Sequence, residues 1–390
     1  LRFRSEGREK NPLFAAKSTQ SMTETTLTAT LNETPLTRQL TSGSASGLLA
    51  PFHGVLSIAQ LDAPQAETAA IAFGAAVHDL GWLRRIAVRG EDRFRWLSGM
   101  VTNTVNDLAA RGGAWNLVLN AQGRIQGDLM IWRNDDELEL EIAADQHNKL
   151  LAHLDRFIIM DDVELAPVEG ETAIGLTGPK AAEILAKIGV TSLAEPLTQT
   201  RFEAGSLNLT IRRNYGALAD HYTLWVAEDS ASQLWRQLIT AGAQPTGTAS
   251  LEAFRIAEGI PVYGIDIAER DLPQEAVSQQ TGQLHALHFS KGCYLGQEIV
   301  ERIRSRGNVH RHLRQIEIDG PLPAPGTELT LENTAAGTIT SAAELPLPMG
   351  PRRFALAMIR AEAEARNLPL AYTASQDSGT VRILTAPPTL

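Results

Sequence analysis

The sequence predicts an α+β protein of two or three domains that closes in a small β-barrel. Three observations lead there. The chain has 390 residues, too many for one ordinary domain of roughly 100 to 150 residues. Up to about residue 307 it mixes strand-like and helix-like segments, without the strict alternation of a doubly wound parallel sheet. Beyond Asn308 the texture changes to short β-like runs spaced by Pro and Gly, the pattern of a small barrel or sandwich.

Taken in order, residues 1–47 are polar and rich in Ser and Thr with no sustained apolar period, and are expected to be a disordered extension. The opening LRFRSEGREK has the arginines of a transit peptide, but Glu6 and Glu9 break the acid-poor pattern. The internal Met22 suggests a plainer expectation, that residues 1–21 are upstream sequence. Helical spacing begins near Pro64 and runs through AETAAIAFGAAV until Asp79 and Gly81 break it. WLRRIAVRG reads as a strand and GEDRFRWLSGM as a short helix. WNLVLN, GDLMIWR and ELELEIA are strand-like, the last two joined by Asn134, Asp135 and Asp136, which suit a hairpin turn. QHNKLLAHLDRFI returns to helical period.

From Val163 a second block begins. ETAIGLTGPKAAEILAKIGV reads as strand, turn and helix, LNLTIRR and YTLWVAE as strands, and SASQLWRQLITAG as a helix ended by Gly242. SLEAFRIAEGI is a further helix, ended by Gly259 and Pro261. HLRQIEID, TELTLE, AGTITSA and RFALAMIR are the strands of the closing barrel. No internal repeat of fixed period is present.

Composition excludes several classes. With 43% hydrophobic and 21% charged residues the chain is an ordinary globular protein. No apolar run approaches the roughly 20 residues that span a bilayer, so no membrane segment is expected. The single cysteine cannot form an intrachain disulfide, and a reducing, cytoplasmic setting is expected. One thiol also cannot supply a Cys-rich zinc site or the four thiolates that normally hold an iron–sulfur cluster. A net charge of −10 argues against direct nucleic-acid binding, which relies on Lys and Arg neutralising phosphates.

The turns LTGPK and NAQGR lack the spacing of a phosphate-binding loop and read as plain turns. His310 and His312 share one face of a strand. With Cys293 they offer a ligand set or a Cys–His dyad, or else they form a solvated face. Residues 291–314 hold six basic side chains (Lys291, Arg302, Arg304, Arg306, Arg311, Arg314) and two acids (Glu298, Glu301), a local balance of +4. Such a field suits an anionic ligand or partner, or belongs to a salt-laced helix and strand. Cys293 precedes GQEIVERI, which has helical spacing. A thiol beside a helix N-terminus and Lys291 would have its thiolate favoured, whereas a cysteine buried in a turn is the alternative.

KGCYLGQEIVERI resembles the Lys-Gly-Cys-Tyr-x-Gly-Gln-Glu signature of the YgfZ-type folate-binding proteins, relatives of the glycine-cleavage T protein. Its positions here are Lys291, Gly292, Cys293, Tyr294, Gly296, Gln297 and Glu298. FRIAEGIPVYGID and LPQEA resemble a second family segment, at Arg255, Gly259, Tyr263, Gly264, Pro273 and Glu275. GEDRFRWLSGMVTNTVNDL and LNAQGRIQGDL are similar to the family's amino-terminal folate-domain segments, and AGTITSA to its barrel, so the likeness covers about residues 70 to 365.

The resemblance implies a three-domain ring around a tetrahydrofolate pocket. Its folate-binding domain would be discontinuous, 48–165 and 248–307, flanking an α+β domain at 166–247, with a small barrel at 308–390. Asp128, Arg255, Tyr263 and Asn103 would line the pocket. Lys291 and Cys293 would lie at the functional surface. Two departures stand out. The T protein typically has two adjacent acids where this chain has Gly127 and Asp128. Its pterin-binding acid falls near Leu218 or Ala219, and loss of such an acceptor would cost about 1–3 kcal/mol of binding.

The expected function is therefore a tetrahydrofolate-binding factor, using tetrahydrofolate or a derivative and no permanently bound metal. It would support assembly or repair of iron–sulfur enzymes, including those that modify tRNA. Its partners would be iron–sulfur assembly proteins or client enzymes, with Cys293 a shared cluster ligand. A folate-dependent aminomethyltransferase is the alternative, and a thiol hydrolase built on Cys293 a third.

Overall fold

The computed structural model describes residues 31–42, 47–191, 195–205, 207–277, 285–307, 309–374 and 377–390. Its first element is helix α1 (Pro35–Ser42), inside the segment expected to be disordered. Burial explains the difference. Leu36 sits fully buried in a core with Leu176, Leu234 and Trp235. The hydroxyls of Thr34 and Thr37 both donate to the carboxylate of Asp79. Residues 1–30 of that extension lie outside the described residues.

Strands β1 (Leu48–Phe52) and β2 (Val55–Gln60) form a hairpin. Its turn residues His53 and Gly54 both take positive φ, 46° and 80°, as a tight primed hairpin turn requires. Helix α2 (Pro64–Phe73) starts on a proline, which suits a first turn where the N–H has no helical partner. It ends before Gly74, earlier than the apolar pattern suggests. Ala76–Asp79 forms strand β3 instead, with all four residues buried in a sheet.

The first large sheet is built from β4 (Leu83–Arg89), β5 (Gly113–Leu119), β6 (Ile125–Arg133), β7 (Leu138–Ala143) and β8 (Glu164–Val168). Its order is β5-β6-β7-β4-β8, antiparallel throughout. Helices α3 (Arg93–Met100) and α4 (Ala144–Asp155) cover it, sharing a core that includes Leu97, Leu129, Leu140 and Leu150.

The second sheet takes β9 (Glu171–Thr177), β10 (Thr198–Ala204), β11 (Leu207–Asn214), β12 (His221–Ala227) and β13 (Gln244–Pro245), in the order β10-β11-β12-β9-β3-β13. Only β3 and β13 pair in parallel. Helices α5 (Ala181–Lys187) and α6 (Ala231–Thr240) pack on this sheet. Between the two sheets lies a buried ion cluster. Arg212 of β11 pairs with Glu139 and Glu141 of β7, Arg85 of β4 pairs with Glu139, and the Trp225 indole donates to Glu141 at 2.9 Å. The two arginines and two glutamates balance, as buried charges must.

Helix α7 (Thr248–Glu258) follows, ended by Gly259 in the left-handed conformation. Helices α8 (Pro273–Ala276) and α9 (Gln297–Arg306) come next. The barrel comprises β14 (Arg311–Asp319), β15 (Glu328–Leu331), β16 (Thr334–Leu347), β17 (Gly350–Arg360), β18 (Leu370–Ala374) and β19 (Asp377–Ile383), with α10 (Ala361–Ala365) between β17 and β18. It closes in the order β14-β17-β16-β15-β18-β19, so the predicted mix of α+β layers with a terminal barrel is present. Among the described residues no helix is long and apolar enough to cross a membrane.

Candidate functional site

A cavity of about 300 Å³ opens between the two sheets and α7, the lower end of the size range of small-molecule sites. Its walls are mostly aromatic and aliphatic. The β1–β2 turn delivers Phe52 and His53, and His53 stacks on Trp82 with ring centroids 4.4 Å apart and planes 27° from parallel. Met130 of β6 and Phe254 of α7 contribute from other sides.

Asp128 lies two residues before Met130, on the same face of β6. Its Oδ2 accepts from Trp115 Nε1 at 3.0 Å and its Oδ1 from Gln146 Nε2 at 3.0 Å. Burial raises its pKa, against hydrogen bonds from Gln146 and Trp115 that lower it. Trp115 also lines a smaller void that shares Tyr215 and Ile260 with the main cavity; Asp128 lines neither and is linked to the smaller one through Trp115. Gly127 explains why the carboxyl stands alone. A side chain there would start 2.7 Å from Gln146 Oε1 and 2.9 Å from Leu150, so the group that holds Asp128 occupies the place of a second acid.

A second polar group lines the cavity. His78 Nε2 lies 2.9 Å from Thr177 Oγ1, Thr177 Oγ1 3.2 Å from His221 Nδ1, and His221 Nε2 2.8 Å from Glu258 Oε2. Glu258 Oε1 also accepts from the Leu218 N–H at 3.0 Å. Burial, with the neighbouring His221 second, pushes His78 down to about 3, so it is neutral. For His221 burial disfavours the imidazolium, but the Glu258 carboxylate outweighs it and raises the pKa.

The residues singled out from sequence fall into three groups. Arg255 lines the cavity, yet its guanidinium is bonded to Glu252, to Asp266 at 2.7 Å and to the Ile260 carbonyl. Burial opposes its charge, and Asp266 and Glu252 together more than compensate, raising its pKa. Tyr263 accepts from Lys149 Nζ at 2.9 Å, with the ammonium 5.2 Å from its ring. Asn103 is committed to backbone, its amide donating to the carbonyls of Trp115 and His285.

Lys291 was expected to activate Cys293, and the structure gives it other work. Its Nζ donates to the carbonyls of Ser98 and Val101, at the C-terminal end of α3, and burial lowers its pKa to about 8. Helix α9 begins at Gln297, four residues past Cys293, behind Gly296 at φ 82°. Cys293 itself is free and exposed, not buried. Tyr294 is buried, which pushes its phenol up to about 12, and its N–H donates to Gln297 Oε1 at 3.3 Å. Gly292 is exposed with φ 101°, and Glu298 is exposed. The NAQGR turn packs against this segment. A Cβ on Gly296 would meet the Asn120 carbonyl at 2.6 Å, and one on Gly123 would meet Ile299 at 2.8 Å. Much of the Lys-Gly-Cys-Tyr signature is thus a packing device that presents one thiol.

Part of the basic field is neutralised, by acids outside it at Arg311 and Arg314 and by its own Glu301 at Arg304. Arg311 bonds to Asp271 and Glu275, Arg314 and His312 share Glu364, and Arg304 pairs with Glu301. Among the described residues no group of three or more His, Cys, Asp or Glu could hold a metal ion. Sequence reasoning missed His53, His78, Thr177, His221 and Glu258. His53 had a signal, a His-Gly pair between two runs of strand character. His78, Thr177 and His221 meet only through the pairing of β3, β9 and β12, with His78 facing Gly175, and Glu258 reaches them from the end of α7.

Two antiparallel-rich sheets that enclose a cavity with α7, followed by a closed barrel, define an aminomethyltransferase-like fold. Residues 57–281, more than half of the chain, match the GCVT N-terminal domain, and the chain belongs to that family. The fold is similar to that of the glycine cleavage system aminomethyltransferase T from Bartonella henselae, with a TM-score of 0.79 and 18% identity over 90% of this chain and 96% of that one. Among curated relatives, an aminomethyltransferase of Thermoanaerobacter sp. (strain X514) is 23% identical over 76% of this chain and 82% of its own length. One from Rubrobacter xylanophilus is 27% identical over 81% and 84%. A chloroplastic transferase-like protein of Arabidopsis thaliana is 24% identical over 69% of this chain, which spans 62% of that relative's length.

Proposed function

We propose that this chain binds tetrahydrofolate or a derivative in the cavity between the sheets and α7. On this reading it acts as a YgfZ-type factor in the assembly or repair of iron–sulfur enzymes, including those that modify tRNA. The observation that carries the folate reading is the cavity itself, with flat aromatic walls and the carboxyl of Glu258 in its lining, while Asp128 is bonded to Trp115 at the adjoining void. A pterin is flat and carries hydrogen-bonding edges, so it calls for apolar faces and a few placed polar groups. Asp128 would hold or receive a proton at its Oδ atoms, and Trp115 and Gln146 orient it.

Two features favour a factor over a transferase. Gly127 leaves Asp128 without a neighbouring acid, and Cys293 is presented to solvent on a segment otherwise devoted to packing. A cluster meeting Cys293 would draw its other ligands from a partner, because one thiolate falls short of the usual four. The second reading, a folate-dependent aminomethyltransferase with Asp128 as acid–base or positioning group, is favoured by the names of the bacterial relatives.

Titration of tetrahydrofolate into wild type and Asp128→Ala, with an aminomethyl donor present and absent, separates them. Expected are binding to wild type, at least about tenfold weaker binding to Asp128→Ala, and no turnover. In cells lacking the protein, wild type should restore iron–sulfur enzyme activity and Cys293→Ala should not. Turnover of the donor would favour the transferase, and absence of folate binding would sink both readings.

A further inference from the structure

A second cleft, of about 570 Å³, lies where the loop at 265–271 meets the barrel, and it shares no lining residue with the main cavity. Its size suits a small molecule. Three arginines line it: Arg270 from the loop, Arg311 at the start of β14 and Arg360 at the end of β17. Strand register brings two of them together. Arg311 and Arg360 are directly opposite partners in the antiparallel β14–β17 ladder, so both project from one face of the barrel wall, and like charges so placed are destabilising.

The acids nearby answer only one member of that pair. Arg311 bonds to Asp271 at 2.7 Å and to Glu275 at 3.2 Å. Arg360 is exposed and has no ion pair among the described residues. Arg270 reaches Asp271 only at 3.9 Å, on the oxygen that Arg311 already holds. Asp266, the other buried acid of the lining, is bonded to Arg255 and to the hydroxyls of Thr340 and Ser341. Glu328 of β15 is the lining acid left without a partner among the described residues. Two open guanidinium forks therefore face one open carboxylate, with Ile339 and Met358 adding apolar surface between them and the barrel core.

We infer that this cleft is a separate anion site, in which Arg360 and Arg270 clamp the phosphate group of a small molecule. A carboxylate fills one guanidinium fork bidentately. A phosphate carries up to two charges and three acceptor oxygens, enough to bridge two forks at once, and its charge would relieve the Arg311–Arg360 opposition. The site does not depend on the folate reading. Exposed arginines also attract anions without selectivity, so the test must separate these two side chains from another surface arginine, and phosphate from carboxylate.

The probes are inorganic pyrophosphate and malonate, each titrated calorimetrically into the full chain at one fixed ionic strength. Wild type should bind pyrophosphate at least about tenfold more tightly than malonate. Arg360→Gln and Arg270→Gln should each weaken pyrophosphate at least about tenfold, whereas Arg236→Gln, on exposed α6, should change it by less than about twofold. Without ligand, Arg360→Gln should melt no lower than wild type, because it removes a like-charge pair, and it should lose the rise in Tm that pyrophosphate gives wild type. No pyrophosphate binding by wild type, equal affinity for malonate, or equal weakening by Arg236→Gln overturns the assignment. Displacement of pyrophosphate by tetrahydrofolate also overturns it, by making the cleft part of the folate site; absence of folate binding alone leaves every expected result here unchanged.

Discussion

His78 shows how a single side chain is paid for by its surroundings. Buried against Gly175 and bonded to Thr177, it stays neutral, its pKa pushed from 6.5 to about 3. Below pH 6.5 the unfolded chain takes up a proton that the folded chain refuses, so stability falls as pH drops from 6.5 towards 3. The slope from this one group approaches about 1.4 kcal/mol per pH unit. Urea unfolding between pH 4 and 6.5 should show that slope in wild type and lack it in His78→Gln; equal slopes would mean that His78 is not buried neutral. Sequence alone left His78 as one of nine scattered histidines, because its neighbours are about a hundred residues away along the chain. Asp128 was singled out through the family likeness alone, and its cradle of Trp115 and Gln146 had no signal in the sequence.

Helices and strands with strong periodicity were legible, and their limits less so. The apolar run through Val77 reads as one helix, yet Gly74 stops α2 and β3 begins at Ala76, because pairing with β9 buries all four residues of the strand. Helix α1 was hidden for the opposite reason, its few apolar residues making sense only against the second sheet. The likeness of the Lys291 to Glu298 segment was legible, whereas the partners of its lysine, the carbonyls at the end of α3, appear only in the folded chain. Lys291→Met should therefore cost about 1–3 kcal/mol in thermal or denaturant unfolding by leaving those carbonyls unpaired. The rate of Cys293 with a thiol reagent should change by less than about twofold, the ammonium being engaged elsewhere. A large fall in thiol reactivity with unchanged stability would restore the activating role.

At the scale of the whole molecule, the α+β architecture and closing barrel could be read from texture and motif, whereas the cavity could not. Its walls come from the β1–β2 turn, β3, β6, β12 and α7, pieces joined only by the sheet order, in which β3 and β13 flank the second block and meet in one sheet. The local excess of positive charge looked like a ligand field by counting. In the fold two of its arginines, Arg311 and Arg314, turn to Asp271, Glu275 and Glu364, and the polar groups that face the cavity include the acids Glu141 and Glu258. The central proposal is that this cavity holds the folate. Amide hydrogen exchange of the full chain with and without tetrahydrofolate tests it most directly. Protection is expected at residues 52–55, 214–223 and 251–262 together. Unchanged exchange there, or protection confined to the barrel strands, would contradict it.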